Sequence, residues 1–382
     1  MEKFSLEKTR DNVLRAIAPI KPLQKKGGHS NEVAVFKGIP HENYYLIFML
    51  LVDLLKYKYV GPFEKLAYAI PIEYNGLRYF VNYAKFGMRI EYPKGGDPEA
   101  VFSALKRGMK AAKPYYLWRA EQASTTSNLN LISKCPPLWE KYLFLKEQSK
   151  ALFDRYEAEK EIVVVEKGFN DDGSFKWAHY KRPGYEFGKQ SRWLHEAAVD
   201  SFFAWCEQAL VHIAVLVGKL TNGKDIAELL KREFGEKCKL VLDISNSADK
   251  AAYDDISALR TELRNYVAHG SFGKDGSTFE FHSAVGAVPL KILDSRSRSE
   301  FSFGTYEARD WEQDYSRIEK FVSQLWSNNR SPAKLYIETG FPCILTYATN
   351  GFFERAMRSE AEMTDFIEHM ERMIDDSANM DF

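Results

Sequence analysis

Residues 191–218 read SRWLHEAAVDSFFAWCEQALVHIAVLVG. Leu194, Ala198, Phe202, Trp205, Ala209, Ile213 and Leu216 recur at three- and four-residue spacing, the period of one helix face. A second seam, Val199, Phe203, Cys206, Leu210 and Ala214, lies beside the first. A helix this broadly apolar belongs at the centre of a bundle or at a subunit interface. Glu196, Asp200 and Glu207 share one face of it, which reads as a solvated acidic stripe or, alternatively, as one wall of a cleft. His195 and His212 read as packing or surface residues.

Toward the C-terminus, short helices are expected at residues 225–234 and 237–243. Ser247 then caps a helix reaching His269, with Ala252, Ile256, Leu259, Leu263 and Val267 on its seam and Gly270 placed for a left-handed C-cap. Residues 278–293 alternate as a hairpin would. Trp311, Tyr315, Ile318, Val322 and Leu325 mark a closing amphipathic helix. Beyond residue 331 the pattern is strand-like at 334–338 and 344–347, followed by a helix from Phe352 and an acidic tail.

Toward the N-terminus the structure types mix. Lys25-Lys26-Gly27-Gly28 reads as a loop and residues 42–57 as an apolar helix. Strands are expected at 65–73, 77–83 and 88–92. The Asn75-Gly76 step between the first two is a hairpin signal, because both residues accept the positive φ of a type I′ turn. A helix at 98–112 is ended by Pro114, residues 122–136 read as loop, and a long helix covers about 138–160. Asp171-Asp172-Gly173 and Arg182-Pro183-Gly184 are turn signals. The expected organisation is therefore an α+β protein. An N-terminal α+β domain with a small antiparallel sheet covers 1–165, a linker covers 166–189, an all-α bundle of four or five helices covers 190–328, and a C-terminal hairpin plus acidic helix covers 329–382.

The 382-residue chain has 53 Lys+Arg and 53 Asp+Glu, so no net charge draws it onto a polyanion, and any such contact must be local. The four cysteines, Cys135, Cys206, Cys238 and Cys343, have neither zinc-site nor disulfide-framework spacing, which points to a reducing cytoplasm. The N-terminus has no apolar signal core, and the apolar run 44–55 is broken by Asp53 and too short to span a bilayer, so no membrane partner is expected.

The chemistry concentrates in Leu263-Arg264-Asn265-Tyr266-Val267-Ala268-His269-Gly270. Histidine titrates near neutrality and can act as acid or base, while arginine makes planar bidentate contacts to phosphate oxygens. Asn265, one turn before His269, could orient its ring. Cleaving RNA through its own 2′-hydroxyl needs these groups and no metal.

On these residues the chain resembles the HEPN superfamily, whose signature is an arginine, often followed by a polar residue, with a histidine four to six positions further on. Arg264, Asn265 and His269 match that pattern, and the helices from about 190 to 328 look like the family's bundle. The resemblance implies a metal-independent endoribonuclease with no cofactor, acting as a homodimer in toxin or antiphage systems and held in check by an antitoxin or other regulator. In family toxins silenced by a nucleotidyltransferase, a tyrosine stands two residues after the histidine. Ser271 stands there in this chain, which argues against that control. The alternative implied role is a non-catalytic module that binds RNA, nucleotide or a protein partner.

Helix geometry constrains the site. Arg264 and His269 lie roughly 140° apart around one helix at about 100° per residue. Either the last turn loosens before Gly270, or two protomers complete one cleft. Glu262 shares the stripe of Asn265 and His269, and with Glu207 is a supporting candidate. Lys219, Lys224, Lys231, Arg232, Lys237 and Lys239 could track an RNA backbone, against the default of a charged surface helix. Tyr115, Tyr116, Trp118 and Arg119 could stack bases, against the default of core aromatics.

Overall fold

The computed structural model describes residues 4–23, 32–36, 42–63, 65–84, 87–269, 279–284, 286–295, 298–303 and 311–379. The 25–28 loop, Gly270 and Ser271 lie outside them. The chain divides into two units, one of Met1–Thr126 with Ile367–Phe382 and one of Ser127–Phe366.

In the first unit, Ser5 accepts from the Lys8 N–H at 3.3 Å and so starts α1 (Leu6–Ile17), which buries Val13 and Ile17. β1 (Lys21–Pro22) and β2 (Glu32–Val35) follow. α2 (Glu42–Phe48) passes into a π-helical stretch, Met49–Leu54, that buries Leu50, Leu51 and Leu54. β3 (Leu66–Tyr74), β4 (Leu77–Ala84) and β5 (Gly87–Tyr92) then make a meander within an antiparallel sheet of order β1-β3-β4-β5-β2. Asn75 and Gly76 take φ values of 49° and 77°, the two positive angles the hairpin signal anticipates. Ile70, Ile72, Tyr79, Val81 and Ile90 meet the helices in one core. Asp97 caps α3 (Pro98–Ala111) through the Ala100 N–H. Pro114 lies in the first turn of α4 (Lys113–Ser124), so it opens a new helix, where its missing N–H costs nothing. Tyr115 and its neighbours Tyr116 and Trp118 belong to this core.

The second unit opens with β6 (Asn130–Leu131) and α5 (Cys135–Glu159). An exposed hairpin of β7 (Val164–Phe169) and β8 (Phe175–Lys181) returns the chain into α6 (Pro183–Leu216). The expected linker at 166–189 is thus this hairpin plus the first turns of α6, and the unit boundary falls near residue 126 rather than 165. The reason is packing. α5 runs antiparallel along α6, and successive contacts step down one helix and up the other. Trp139 meets Trp205 at 4.6 Å and Tyr142 meets Phe202 at 5.6 Å between ring centroids. Further along, Ser149 Oγ donates to the Ser191 carbonyl at 2.9 Å, and Ser191 Oγ donates to the Ser149 carbonyl at 2.6 Å. Gly188 faces the Tyr156 ring, and Gly184 faces the Glu159–Lys160 backbone. A Cβ on Gly184 would come within 2.6 Å of that backbone, so only glycine allows the approach.

After α6 come α7 (Gly223–Lys231), α8 (Phe234–Val241) and α9 (Ser247–His269), the last with the expected bounds. β9 (Phe279–Ser283), β10 (Gly286–Ser295) and β11 (Arg298–Phe303) form a three-stranded antiparallel sheet, so this stretch is not all-α. α10 (Trp311–Leu325) runs parallel to α6, with Phe321 on Phe202. α11 (Ser331–Thr339), β12 (Cys343–Ile344), α12 (Leu345–Thr349), α13 (Phe352–Ala356) and α14 (Glu360–Asn379) complete the chain, and residues of α14 from Ile367 group with the first unit. The strands expected at 334–338 and 344–347 are helices. Pro332 opens α11, left-handed Gly340 (φ 72°) ends it, and Ala333, Tyr336 and Ile337 bury at helical spacing. Only β12 pairs, with β6.

By length and apolarity α6 passes as a membrane-spanning helix, yet 78% of its most apolar window is buried inside the protein. It is the core helix of the second unit. Gly184→Val is expected to lower stability by about 1–3 kcal/mol through overpacking, read as a lower urea midpoint. An unchanged midpoint would mean that α5 and α6 do not need this approach.

Candidate functional site

α9 is fixed firmly at its start. The cap is Asn246 and not Ser247, which is the first helical residue: the Asn246 side chain accepts from the backbone N–H groups of Ala248 and Asp249 at 2.9 and 3.2 Å. Asp249 is fully buried and bound bidentately by Arg330, with Nη1 at 2.9 Å and Nη2 at 2.8 Å. Gln324 Nε2 and the Asp243 N–H add bonds of 2.6 and 2.9 Å. Arg330 spends its remaining donors on the Leu325 and Gln324 carbonyls. Burial pushes the Asp249 carboxyl up, but hydrogen bonds from Arg330 and Gln324 outweigh it and hold the carboxyl below its ordinary value.

The other end of α9 carries the motif. Arg264, Asn265 and His269 occupy its last two turns, and the helix is continuous through His269. A loosened last turn before Gly270 is therefore absent, and positions 264 and 269 stay roughly 140° apart. Their side chains lie outside the described residues.

The two supporting carboxylates are held by neighbouring cations. Glu207 Oε1 accepts from Arg260 Nη2 and its Oε2 from Lys237 Nζ, each at 2.7 Å. Arg260 also lies 4.5 Å over the Phe234 ring. Glu262 binds Arg317 Nη1 at 2.9 Å, and Arg317 Nε reaches Asp255 at 2.8 Å. Both carboxylates thus brace the body of α9, Glu207 against α6 and α8, Glu262 against α10. The basic cluster around α7 and α8 is largely spoken for. Lys237 is buried in its ion pair, and Lys219 Nζ donates to the Leu240 carbonyl at 2.6 Å. Lys231 meets Glu228, Arg232 meets Glu236, and Lys239 lies over Tyr253.

A second polar centre, between α6 and α10, was not anticipated. His195 is 1% exposed, and its Nε2 lies 2.9 Å from Asp314 Oδ2. The imidazole stacks on Trp311 (5.4 Å, 12°) and meets the edge of Tyr315 at 4.8 Å. The available signal was spacing, since Gly184, Gly188, Ser191 and His195 extend the α6 seam backward from Ala198 in steps of four and three. All four cysteines are buried. Burial pushes the Cys135 thiol up to about 11 and Cys238 to about 12, and also raises Cys206 and Cys343. His212 is held toward its neutral form by burial, with Nδ1 on the Gln208 carbonyl at 2.8 Å.

Comparison of the chain with protein-family models, curated proteins and solved structures finds no match.

Asp249→Ala strands the buried Arg330 charge and is expected to cost about 3–5 kcal/mol at neutral pH. Because the folded-state carboxyl is depressed, its stabilisation is present above the ordinary carboxylate value. It fades as pH falls through the lower folded value. The stability gap between the wild type and variant should therefore begin to narrow as pH falls below about 4 and close only below the depressed folded-state value; a gap unchanged at acid pH would show that the ion pair is not its source.

Proposed function

We propose that the second unit is a metal-independent endoribonuclease of HEPN type acting in defence or stress. The observation that carries this reading is the placement of Arg264-Asn265 and His269 on the closing turns of a helix whose start is locked by a buried ion pair. In the proposed reaction His269 acts as acid or base. The 2′-oxygen loses its proton and attacks phosphorus, and the 5′-oxygen leaves with a proton, giving a 2′,3′-cyclic phosphate. Arg264 offsets charge on the phosphoryl oxygens as they approach the pentacoordinate state. Asn265 orients the imidazole.

A continuous helix does not aim positions 264 and 269 at one phosphate. The reading therefore includes a homodimer in which Arg264 of one protomer meets His269 of the other. The protein should cleave single-stranded RNA in EDTA, leave cyclic phosphate ends, and spare a substrate with 2′-deoxyribose at the scissile position. His269→Ala and Arg264→Ala should each lose about 10²–10⁴-fold in rate. Mixing the two inactive variants should restore part of the activity, since a mixed dimer keeps one intact cleft. Cleavage that survives His269→Ala sinks the assignment, while an active wild type with a monomeric mass and inactive single variants would sink the shared cleft alone.

A further inference from the structure

The small residues that bring α5 and α6 together also leave space beside them. A cavity of about 1090 Å³ opens between the last turns of α5, the first turns of α6 and the start of α10. That is enough for a ligand of several rings. Its lining is not that of a core void, because aromatic and charged side chains alternate around it.

The rings run in a row. Tyr185 lies 6.2 Å from Tyr156, Tyr156 5.9 Å from Phe153, and Phe153 5.1 Å from Trp311. Neighbours meet tilted or edge-on and not in face-to-face stacks, while Gly188 lies against the Tyr156 ring and Lys160 and Arg182 lie over Tyr156 and Tyr185. Trp311 is backed by the stacked His195, which Asp314 holds in place. Such a row is a platform for a flat ring.

The cations divide into two pairs. Lys146 is bound by Glu319 at 2.7 Å and Lys189 by Glu186 at 2.8 Å. Lys150 and Arg192 have no acidic partner among the described residues, and both are exposed in the lining. They follow directly on Ser149 and Ser191, the two serines that bond each other across the helices. The register therefore sets these two cations level on facing helices. Asp154 and Glu312 are the corresponding carboxylates without a described partner, available as acceptors for ring N–H groups.

We propose that this cavity binds a nucleotide, with the base on the aromatic row and the phosphate held by Lys150 and Arg192. The inference stands on the cavity alone and does not depend on the α9 motif. One chemistry could reach it from two sources, a free mononucleotide or one unit of an RNA strand.

Calorimetric titration of the full chain tests this, using the four nucleoside 5′-monophosphates and a 2′-O-methylated tetranucleotide that cannot be cleaved. Saturable mononucleotide binding at least about fivefold tighter than ribose 5-phosphate is expected, the least that one stacked base contributes. Lys150→Gln with Arg192→Gln, both surface changes, should weaken nucleotides about tenfold or more while sparing nucleosides. Phe153→Leu should weaken both, with thermal melting confirming that it folds. A tetranucleotide that binds tighter than every mononucleotide assigns the site to RNA, and the reverse order assigns it to free nucleotide. Ribose 5-phosphate binding as well as nucleotides, choline binding in their place, no saturable binding at millimolar concentration, or an unaffected double variant would each overturn the proposal.

Discussion

The close approach of α5 and α6 is the constraint on which the second unit depends. Glycine at 184 and 188 and serine at 191 let the two backbones come together over one half of the pair. In the other half, Phe202 and Trp205 meet Tyr142 and Trp139 through their rings. The interface therefore changes character along its length. The serine pair makes this half specific, because each hydroxyl satisfies a carbonyl on the facing helix and neither is left orphaned. α10 then packs parallel to α6 and brings Asp314 to the one histidine on that seam.

α9 illustrates the opposite arrangement, fixed by charge rather than by apolar fit. Asp249 and Arg330 are buried, so each would be costly alone, but bidentate geometry and added backbone bonds satisfy nearly every donor and acceptor. The gain from such a pair is position more than net stability. It fixes where α9 begins, and Arg317 fixes its middle against α10 through Asp255 and Glu262. What the end of the helix presents is then determined by length and pitch. Positions 264 and 269 follow the buried Asp249 by 15 and 20 residues along one continuous helix.

Much of the local structure was legible in the residues. Asn75-Gly76 specified its turn, Ser247 to His269 specified α9, and the Trp311–Leu325 seam specified α10. The misreadings share a cause. The first turns of α6 are small and polar, so a search for apolar periodicity passes over them, and Pro183-Gly184 resembles a turn although proline there starts a helix. α5 shows a seam of Cys135, Trp139, Tyr142, Ser149, Phe153 and Tyr156, but all of those residues except Cys135 are polar or aromatic. Their meaning depends on a partner helix that local sequence does not name. The β-branched and aromatic residues of α11 favour a strand, yet Pro332 in its first turn, left-handed Gly340 at its end and burial at helical spacing prevail. At the candidate site, the sequence supplied the motif and its geometric conflict. It did not supply His195 with Asp314, since that pair joins positions 119 residues apart.

The charge balance of the chain acquires a structural sense from these details. Lysine and arginine equal aspartate and glutamate in number, and many of them are consumed internally: Arg330, Arg317, Arg260, Lys237 and Lys146 all hold carboxylates within the second unit. A surface built this way has little long-range field with which to gather a polyanion. Recognition of a nucleotide or an RNA strand by such a protein must then rest on a few phosphate contacts and on stacking, both of which act over short distances. Lys150 and Arg192, two cations without a described acidic partner beside a row of rings, have the composition that this constraint demands.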